Sequence, residues 1–158
     1  MSNIATSPRK VALICSHGGL DEVYPALILA NAARQSDIEA MIFFTFWGLD
    51  AITETKVDHL HMNLAGNAAN TMPTVIAGLP GMESIAAKMM LKQMAELDMP
   101  GVREMLGILE ESGADLYACE LAMKMFKRQK TDLIPQVKDV ITAGDFYDLS
   151  VGAQIIFT

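Results

Sequence analysis

The first fifty residues of the chain decide its fold. They contain the apolar run KVALIC at residues 10–15, which is followed by the loop sequence SHGG, and the run IEAMIFFTF at residues 38–46. The first run predicts a strand that ends in a loop, because turn-forming residues follow it directly. The second run is apolar on both of its alternating faces, which is typical of a strand covered by helices on two sides. A helical pattern lies between the two runs, and the order of strand, helix and strand predicts a right-handed parallel crossover.

The rest of the chain continues this alternation of strands and helices. Apolar runs of strand length predict three further strands, at residues 116–119, 137–142 and 154–157. Apolar residues at helical spacing predict helices at residues 82–97, 102–112 and 120–128, and a short helix that Asp145 caps. This pattern predicts an α/β fold, a single doubly wound domain whose five-stranded, mainly parallel sheet is flanked by helices. We expect the strand order 2-1-3-4-5 within residues 10–158, preceded by a flexible lead at residues 1–9.

Residues 47–100 interrupt the regular pattern and form a long insertion. An insertion of this length is more often a functional lid or an interface than a plain connection. It ends in an amphipathic helix whose apolar stripe is mostly methionine, at positions Met82, Ile85, Ala86, Met89, Met90, Met94 and Leu97. We expect this stripe to be buried against the sheet and also against a second subunit.

The composition argues against several classes of function. The chain has 158 residues, of which 51% are hydrophobic and 20% charged, so it can bury a core. Its formal net charge of −7 argues against nucleic acid or an anionic membrane surface as the main partner, because both bind basic patches. No apolar run approaches the ~20 residues of a membrane span, and no leader pattern is seen, so we expect a cytoplasmic protein. Its two cysteines are then expected to be thiols.

Cys119 is the first candidate for a reactive group. It closes a predicted strand and opens a predicted helix, where unpaired backbone N–H groups and the helix dipole can stabilise a thiolate, the nucleophilic form. The negative charge of Glu120 opposes this unless its side chain points away. Cys119 can equally be a buried, inert core residue. Cys15 ends the first strand, where a small core residue is favoured over a second, relay thiol.

The ends of the first two strands supply the other candidate residues. In open parallel sheets, ligands bind at the carboxyl ends of the strands. The residues that we expect to contact a substrate there are Cys15, His17, Gly18, Thr45, Phe46 and Trp47. The loop that holds His17 can cradle an anion, but it lacks the GxGxxG and Walker patterns, so no cofactor is predicted.

His59 and His61, next to Asp58, suggest a metal site only weakly. Alternate residues of a strand share a face, but no cysteine pair or HExxH motif accompanies them, so surface loop histidines are the favoured interpretation. The thioethers of the methionine stripe suit Cu(I), yet methionine at helical spacing is more often packing. We therefore predict no metal ligand. No GxSxG motif or evident carboxylate pair supports hydrolysis.

Several separated motifs, in the same order along the chain, resemble one family. They are GLD at residues 19–21, YPALILA at 24–30, FFTFWGL at 43–49, LPGM at 79–82, the methionine pair at 89–90, and Ala118-Cys119 followed by Met123. The stretch at residues 43–49 is the most specific of them. Together they resemble the DsrE-like (DsrE/DsrF/DsrH) sulfur-relay family, in its larger DrsE_2-type branch, from about residue 10 to the end.

This resemblance implies a DsrE-like α/β fold and a role in cytoplasmic sulfur trafficking through a cysteine persulfide. The working thiol of the family maps onto Cys119. The resemblance also implies partners that donate or accept sulfur, such as TusA-like or rhodanese-like carriers, and a homo-oligomer, a trimer or hexamer or else a dimer. Members of the branch are often described as sulfurtransferase-like or peroxiredoxin-like. One departure concerns His17, because many relatives carry a lysine before the glycine.

Three functions stay open at this point. The first is a sulfur carrier or sulfurtransferase that uses Cys119, and whether it is an enzyme is left undecided. The second is a non-catalytic module that binds a partner or an apolar ligand through the methionine-rich helix. The third is thiol redox chemistry between Cys15 and Cys119, which requires their Cα atoms to lie within ~7 Å.

Overall fold

The computed structural model describes residues 9–62, 64 and 73–158. The flexible lead predicted for residues 1–9 lies, apart from Arg9, outside these residues, as do residues 63 and 65–72 of the insertion.

Strands and helices alternate along the described chain. The strands are β1 (Lys10–Cys15), β2 (Glu39–Phe44), β3 (Asp115–Cys119), β4 (Asp139–Ile141) and β5 (Gln154–Phe157). The α-helices are α1 (Leu20–Gln35), α2 (Thr74–Ala77), α3 (Met82–Ala95), α4 (Val102–Glu111), α5 (Glu120–Met125) and α6 (Ala143–Leu149). Two 3-10 helices, Phe46–Ile52 and Lys130–Asp132, follow β2 and α5. Thr142 is the N-cap of α6, and the backbone N–H of Thr142 donates a hydrogen bond to the side chain of Asp145 at 2.8 Å.

The five strands form one parallel sheet in the order β4-β3-β2-β1-β5. The fold class predicted from the sequence is confirmed, but the predicted strand order 2-1-3-4-5 is wrong. β3 pairs with β2 and not with β1, so that Leu116 lies opposite Ile42. The burial of β2 gives the physical reason. Residues 40–44 are all buried, which suits a central strand that has a neighbour on each side.

Helices cover both faces of the sheet. The chain steps outward from β1 to β4 and then returns across the sheet to β5, so right-handed crossovers put α6 on the face opposite α1 and α4. α1 packs on α4 over the first face, where Leu13, Ile42 and Leu116 are fully buried. On the second face, the ring of Phe146 in α6 stacks on Phe43 of β2, with ring centroids 5.1 Å apart.

The insertion places α3 on the surface of the chain, with apolar side chains on two of its sides. Ala87 and Met94 are buried, whereas Ile85 and Met89 are exposed. The methionine-rich stripe is therefore only partly covered by its own chain, in contrast to the expected burial against the sheet. The reason is that its positions spread over about half of the helix circumference, which is more than one contact surface covers.

No helix in the described part of the chain combines the length and the apolar character that crossing a membrane requires.

Candidate functional site

Cys119 lies at the carboxyl end of β3 and is the N-cap residue of α5. Strand and helix follow each other without a loop, so the backbone of both elements fixes the position of the thiol. The residue is buried, with 7% of its surface exposed. It nevertheless lines a pocket of about 420 Å³ at the strand ends, together with Thr45, Phe46, Leu121, Ala122, Lys124 and Met125. We call this the cysteine pocket.

The rim of the cysteine pocket is apolar and open to solvent. Phe46, Leu121 and Met125 are all large apolar residues with exposed side chains. The charged group at this pocket is Lys124, whose Nζ lies 2.7 Å from Oε1 of Glu120. Lys124 thus pairs with the carboxylate of the residue that follows Cys119. Such a rim suits an apolar contact next to the thiol.

Phe46 contributes to the rim from an unusual backbone conformation. Its φ angle is +46°, in the left-handed region that side-chain-bearing residues rarely adopt. Hydrogen bonds to the end of β1 hold this turn, since Thr45 N donates to Cys15 O at 3.0 Å and Gly48 N donates to Ser16 O at 3.2 Å. A Cβ atom on Gly48 would lie 2.1 Å from Cys15 O, so the two backbones touch directly. Strained residues persist where their surroundings fix them in this way, often beside a functional group.

Cys15, in contrast, lies inside the protein, with 0% of its surface exposed. Burial raises the pKa of its thiol to about 12, and the Sγ donates a hydrogen bond to the carbonyl of His17 at 3.6 Å. Cys15 lies opposite Phe44, which lies opposite Ala118, the residue before Cys119. The two cysteines are therefore separated by β2 and point to opposite faces of the sheet. They are not brought together as a disulfide pair would require.

The remaining predicted site residues line a second, larger pocket. His17, Gly18 and Trp47 lie around a cavity of about 790 Å³, which we call the histidine pocket. Its other lining residues are Gly19, Glu22, Asp50, Thr55, Lys56, His59, Leu60, His61 and Glu83. The structure thus divides the substrate-binding residues expected from the sequence, because Thr45 and Phe46 lie at the cysteine pocket instead.

All three histidines of the chain line the histidine pocket. Nδ1 of His17 lies 2.9 Å from Ser16 Oγ, and Nδ1 of His61 lies 3.3 Å from Ser84 Oγ of α3. The sequence pattern favoured a surface loop for His59 and His61 and missed this convergence, because it depends on how the insertion folds back over the β1 loop. Within residues 9–62, 64 and 73–158, no three His, Cys, Asp or Glu side chains are placed to hold a metal ion.

Aromatic and ionic contacts connect the two pockets. Trp47 packs on Phe126, just after α5, with ring centroids 4.7 Å apart. The guanidinium of Arg128 lies over the same Phe126 ring and pairs with Asp50 of the histidine pocket. Arg128 also donates to Thr53 Oγ1 at 2.8 Å. The segment that begins at Cys119 is therefore anchored, at its far end, to the 3-10 helix after β2.

These features define an α/β protein with a parallel sheet and a strand-end thiol at an apolar pocket. The sequence profile of the DsrE/DsrF/DrsH-like family matches residues 7–156, and the chain belongs to that family. The resemblance seen in the sequence motifs is thus confirmed.

Two curated relatives and one solved structure are similar over most of the chain. The sulfur carrier protein DsrE2 of Allochromatium vinosum is 29% identical over 146 residues, which cover 87% of this chain and 91% of that protein. Protein YrkE of Bacillus subtilis is 24% identical over 157 residues, which cover 94% of this chain and 96% of the relative. The crystal structure of the ychN protein from E. coli aligns with a TM-score of 0.57 at 15% identity and covers 95% of this chain and 99% of its own. The last comparison shows a shared fold.

Proposed function

We propose that this protein carries sulfane sulfur as a persulfide on Cys119. The observation that carries the proposal is the contrast between its two thiols, since Cys119 lines an open pocket and Cys15 is sealed in the core. Membership of the DsrE/DsrF/DrsH-like family, and similarity to a relative that is named a sulfur carrier protein, support this function independently of the structure. A reactive cysteine needs access as well as deprotonation, and Cys119 is the residue with access.

Loading and unloading are two thiol exchange reactions of the same kind. In the first, the Cys119 thiolate attacks the outer sulfur of a donor persulfide, the S–S bond of the donor breaks, and the electron pair stays on the donor thiolate. In the second, an acceptor thiolate attacks the outer sulfur of the Cys119 persulfide, and Cys119 leaves as a thiolate. Neither step requires an added oxidant or reductant. Repeated turnover between a donor and an acceptor would make the protein a sulfurtransferase.

The surroundings of Cys119 favour proteins as donors and acceptors, of the TusA-like or rhodanese-like kind. The exposed side chains of Phe46, Leu121 and Met125 offer an apolar contact of the type found at protein interfaces. We place this exchange in the cytoplasm, where thiols stay reduced. The exposed outward side of α3, with Ile85 and Met89, supports a homo-oligomer.

The same outward side of α3 favours the second candidate function. A module that holds a partner or an apolar ligand would use Ile85 and Met89 and would leave both cysteines without a role. The two functions differ in one outcome, which is whether the protein accepts sulfur at all.

The test is sulfur loading followed by intact mass. Reduced protein is incubated with sodium polysulfide, desalted and measured without reductant. Wild-type protein and the control Cys15→Ala should gain the mass of sulfur, whereas Cys119→Ser should gain none, with thermal melts to establish that each variant is folded. Loading of Cys119→Ser to the wild-type level, or no loading of folded wild-type protein, would contradict the proposal.

A further inference from the structure

A persulfide presents two sulfur atoms to an attacking thiolate, and only one of them gives sulfur transfer. Attack on the outer sulfur moves that sulfur to the acceptor and frees Cys119. Attack on Sγ joins the acceptor to Cys119 as a mixed disulfide and releases the outer sulfur as hydrosulfide. A carrier must therefore expose the outer atom and protect the inner one.

The position of Cys119 creates such a difference between the two atoms. With 7% of its surface exposed, the residue lies at the floor of the cysteine pocket, whereas the rim residues are open to solvent. An outer sulfur lies ~2 Å beyond Sγ, toward the space that the pocket leaves open. How far the rim side chains extend beyond Sγ therefore decides whether an attacking thiolate reaches Sγ or only the outer sulfur.

Phe46 is the rim residue that has a left-handed backbone conformation. Phe46 opens the 3-10 helix that follows β2, whereas the other two large rim residues, Leu121 and Met125, belong to α5. The left-handed φ of +46° and the close contact of Gly48 with Cys15 O hold the turn against the end of β1. An aromatic residue gains nothing locally from this conformation, since glycine or asparagine would adopt it with less strain. About half of the Phe46 surface, 51%, is exposed, so core packing does not explain the choice either.

We infer that Phe46 is a specificity-determining residue that shields Sγ of Cys119 and directs acceptor thiolates to the outer sulfur of the persulfide. This inference rests on the proposed function of Cys119. The acceptor thiolate forms a bond to the outer sulfur, the S–S bond to Cys119 breaks, and its electron pair returns to Sγ. Without the ring, Sγ becomes open to attack, and mixed disulfide and hydrosulfide form in the competing reaction.

The experiment measures how much of the loaded protein reacts at the outer sulfur and how much reacts at Sγ. Protein loaded with polysulfide and desalted receives one equivalent of 2-mercaptoethanol and is quenched with acid after a short time. Intact mass then gives the ratio of the Cys119 mixed disulfide to free Cys119. Phe46→Ala and Phe46→Gly remove the ring, and the glycine variant also fits the left-handed turn, so it keeps the local fold. Phe46→Tyr retains the ring, and Tyr147→Ala removes an exposed ring on α6 that does not line the pocket.

Wild-type protein, Phe46→Tyr and Tyr147→Ala should return mostly free Cys119. In Phe46→Ala and Phe46→Gly, the mixed disulfide fraction should rise several-fold. Normal loading with an unchanged ratio in both ring-free variants overturns the role of Phe46 and leaves the carrier function standing. An equal rise in Tyr147→Ala also overturns it. Failure of wild-type protein to load sulfur overturns the carrier function, and the role of Phe46 with it.

Discussion

The two cysteines occupy similar places in the sequence and very different places in the structure. Each ends an apolar run, each ends a parallel strand, and each is buried. After Cys15 the chain enters a loop that the 3-10 helix following β2 covers, so that Gly48 touches the Cys15 carbonyl. After Cys119 the chain enters α5 directly, and its first turn forms one wall of a pocket. The segment beyond the strand therefore decides whether a thiol at a strand end is accessible.

The largest expected effect comes from Gly48, which closes the region above Cys15. A Cβ atom there would lie 2.1 Å from Cys15 O, a backbone atom that cannot move without displacing β1. We expect Gly48→Ala to lower the free energy of unfolding by about 3 kcal/mol, measured by urea denaturation. It should also increase the rate at which Cys15 reacts with iodoacetamide.

Gly107 in α4 is the matched control, because a Cβ atom there would meet nothing within 4 Å. Gly107→Ala should raise the free energy of unfolding by about 0.5 kcal/mol or more, since alanine favours a helix interior. Equal stability of Gly48→Ala and wild-type protein would show that the close contact does not seal Cys15.

The next effect concerns Arg128, which anchors the segment after Cys119. Its guanidinium and the Asp50 carboxylate are both largely buried. Removing Arg128 leaves Asp50 with Lys56 alone, whose Nζ lies 3.0 Å from Oδ2, and leaves Thr53 Oγ1 without its Arg128 donor. We expect Arg128→Ala to cost about 2 kcal/mol of stability, measured by denaturation, and to speed the alkylation of Cys119. The exposed pair of Lys130 and Asp139 serves as the control, and Lys130→Ala should change stability by less than about 0.5 kcal/mol. Equal losses in both variants would mean that burial of the ion pair has no role.

Alkaline pH should lower the stability of the protein through the buried thiol of Cys15. The pKa of Cys15 is about 12 in the folded protein against 9.0 for an ordinary thiol, because burial disfavours its charged form. The unfolded chain therefore loses this proton first, and the stability that Cys15 contributes is complete below pH 9 and falls above it. The free energy of unfolding should therefore have a negative slope against pH once the pH rises above 9. Denaturation curves for Cys15→Ala should lack this part of the slope, and an identical slope in variant and wild type would contradict the assigned burial.

The smallest effect on stability is expected at the outward side of α3. Ile85 is exposed in the single chain, so Ile85→Ser should change the free energy of unfolding of the protomer by less than about 0.5 kcal/mol. If this side joins subunits, the same variant should dissociate at a higher protein concentration than wild type in light scattering. Ser84→Ala, on the same helix but facing His61, is the control. A wild-type protein that is monomeric at every concentration would exclude this interface.

The sequence predicted the elements that place Cys119, since alternating apolar runs mark strands and helices over most of the chain. β5 was predicted at its observed bounds, and Cys119 was expected at the junction where it lies. The order of the strands in the sheet was not predicted correctly, because periodicity shows which face of a strand is buried and not which strand lies beside it. The unbroken apolar run at residues 40–44 is the sequence signal that could have indicated a central position for β2.

Two site features depend on tertiary structure and were therefore not predicted. The convergence of His59 and His61 on His17 arises from the path of the insertion, which has no periodic signal. The left-handed conformation of Phe46 is set by hydrogen bonds to the end of β1, and nothing in the local sequence calls for it. Both features come from contacts between segments far apart in the chain.

The site of sulfur loading can be located directly in wild-type protein. After loading with polysulfide, free thiols and persulfides are alkylated in the folded state, and the protein is digested with trypsin. Cleavage at Lys10 and Arg34 releases Cys15, and cleavage at Arg103 and Lys124 releases Cys119, on separate peptides. We expect the alkylated persulfide on the Cys119 peptide and an unmodified thiol on the Cys15 peptide. Persulfide on the Cys15 peptide, with Cys119 unmodified, would contradict this expectation.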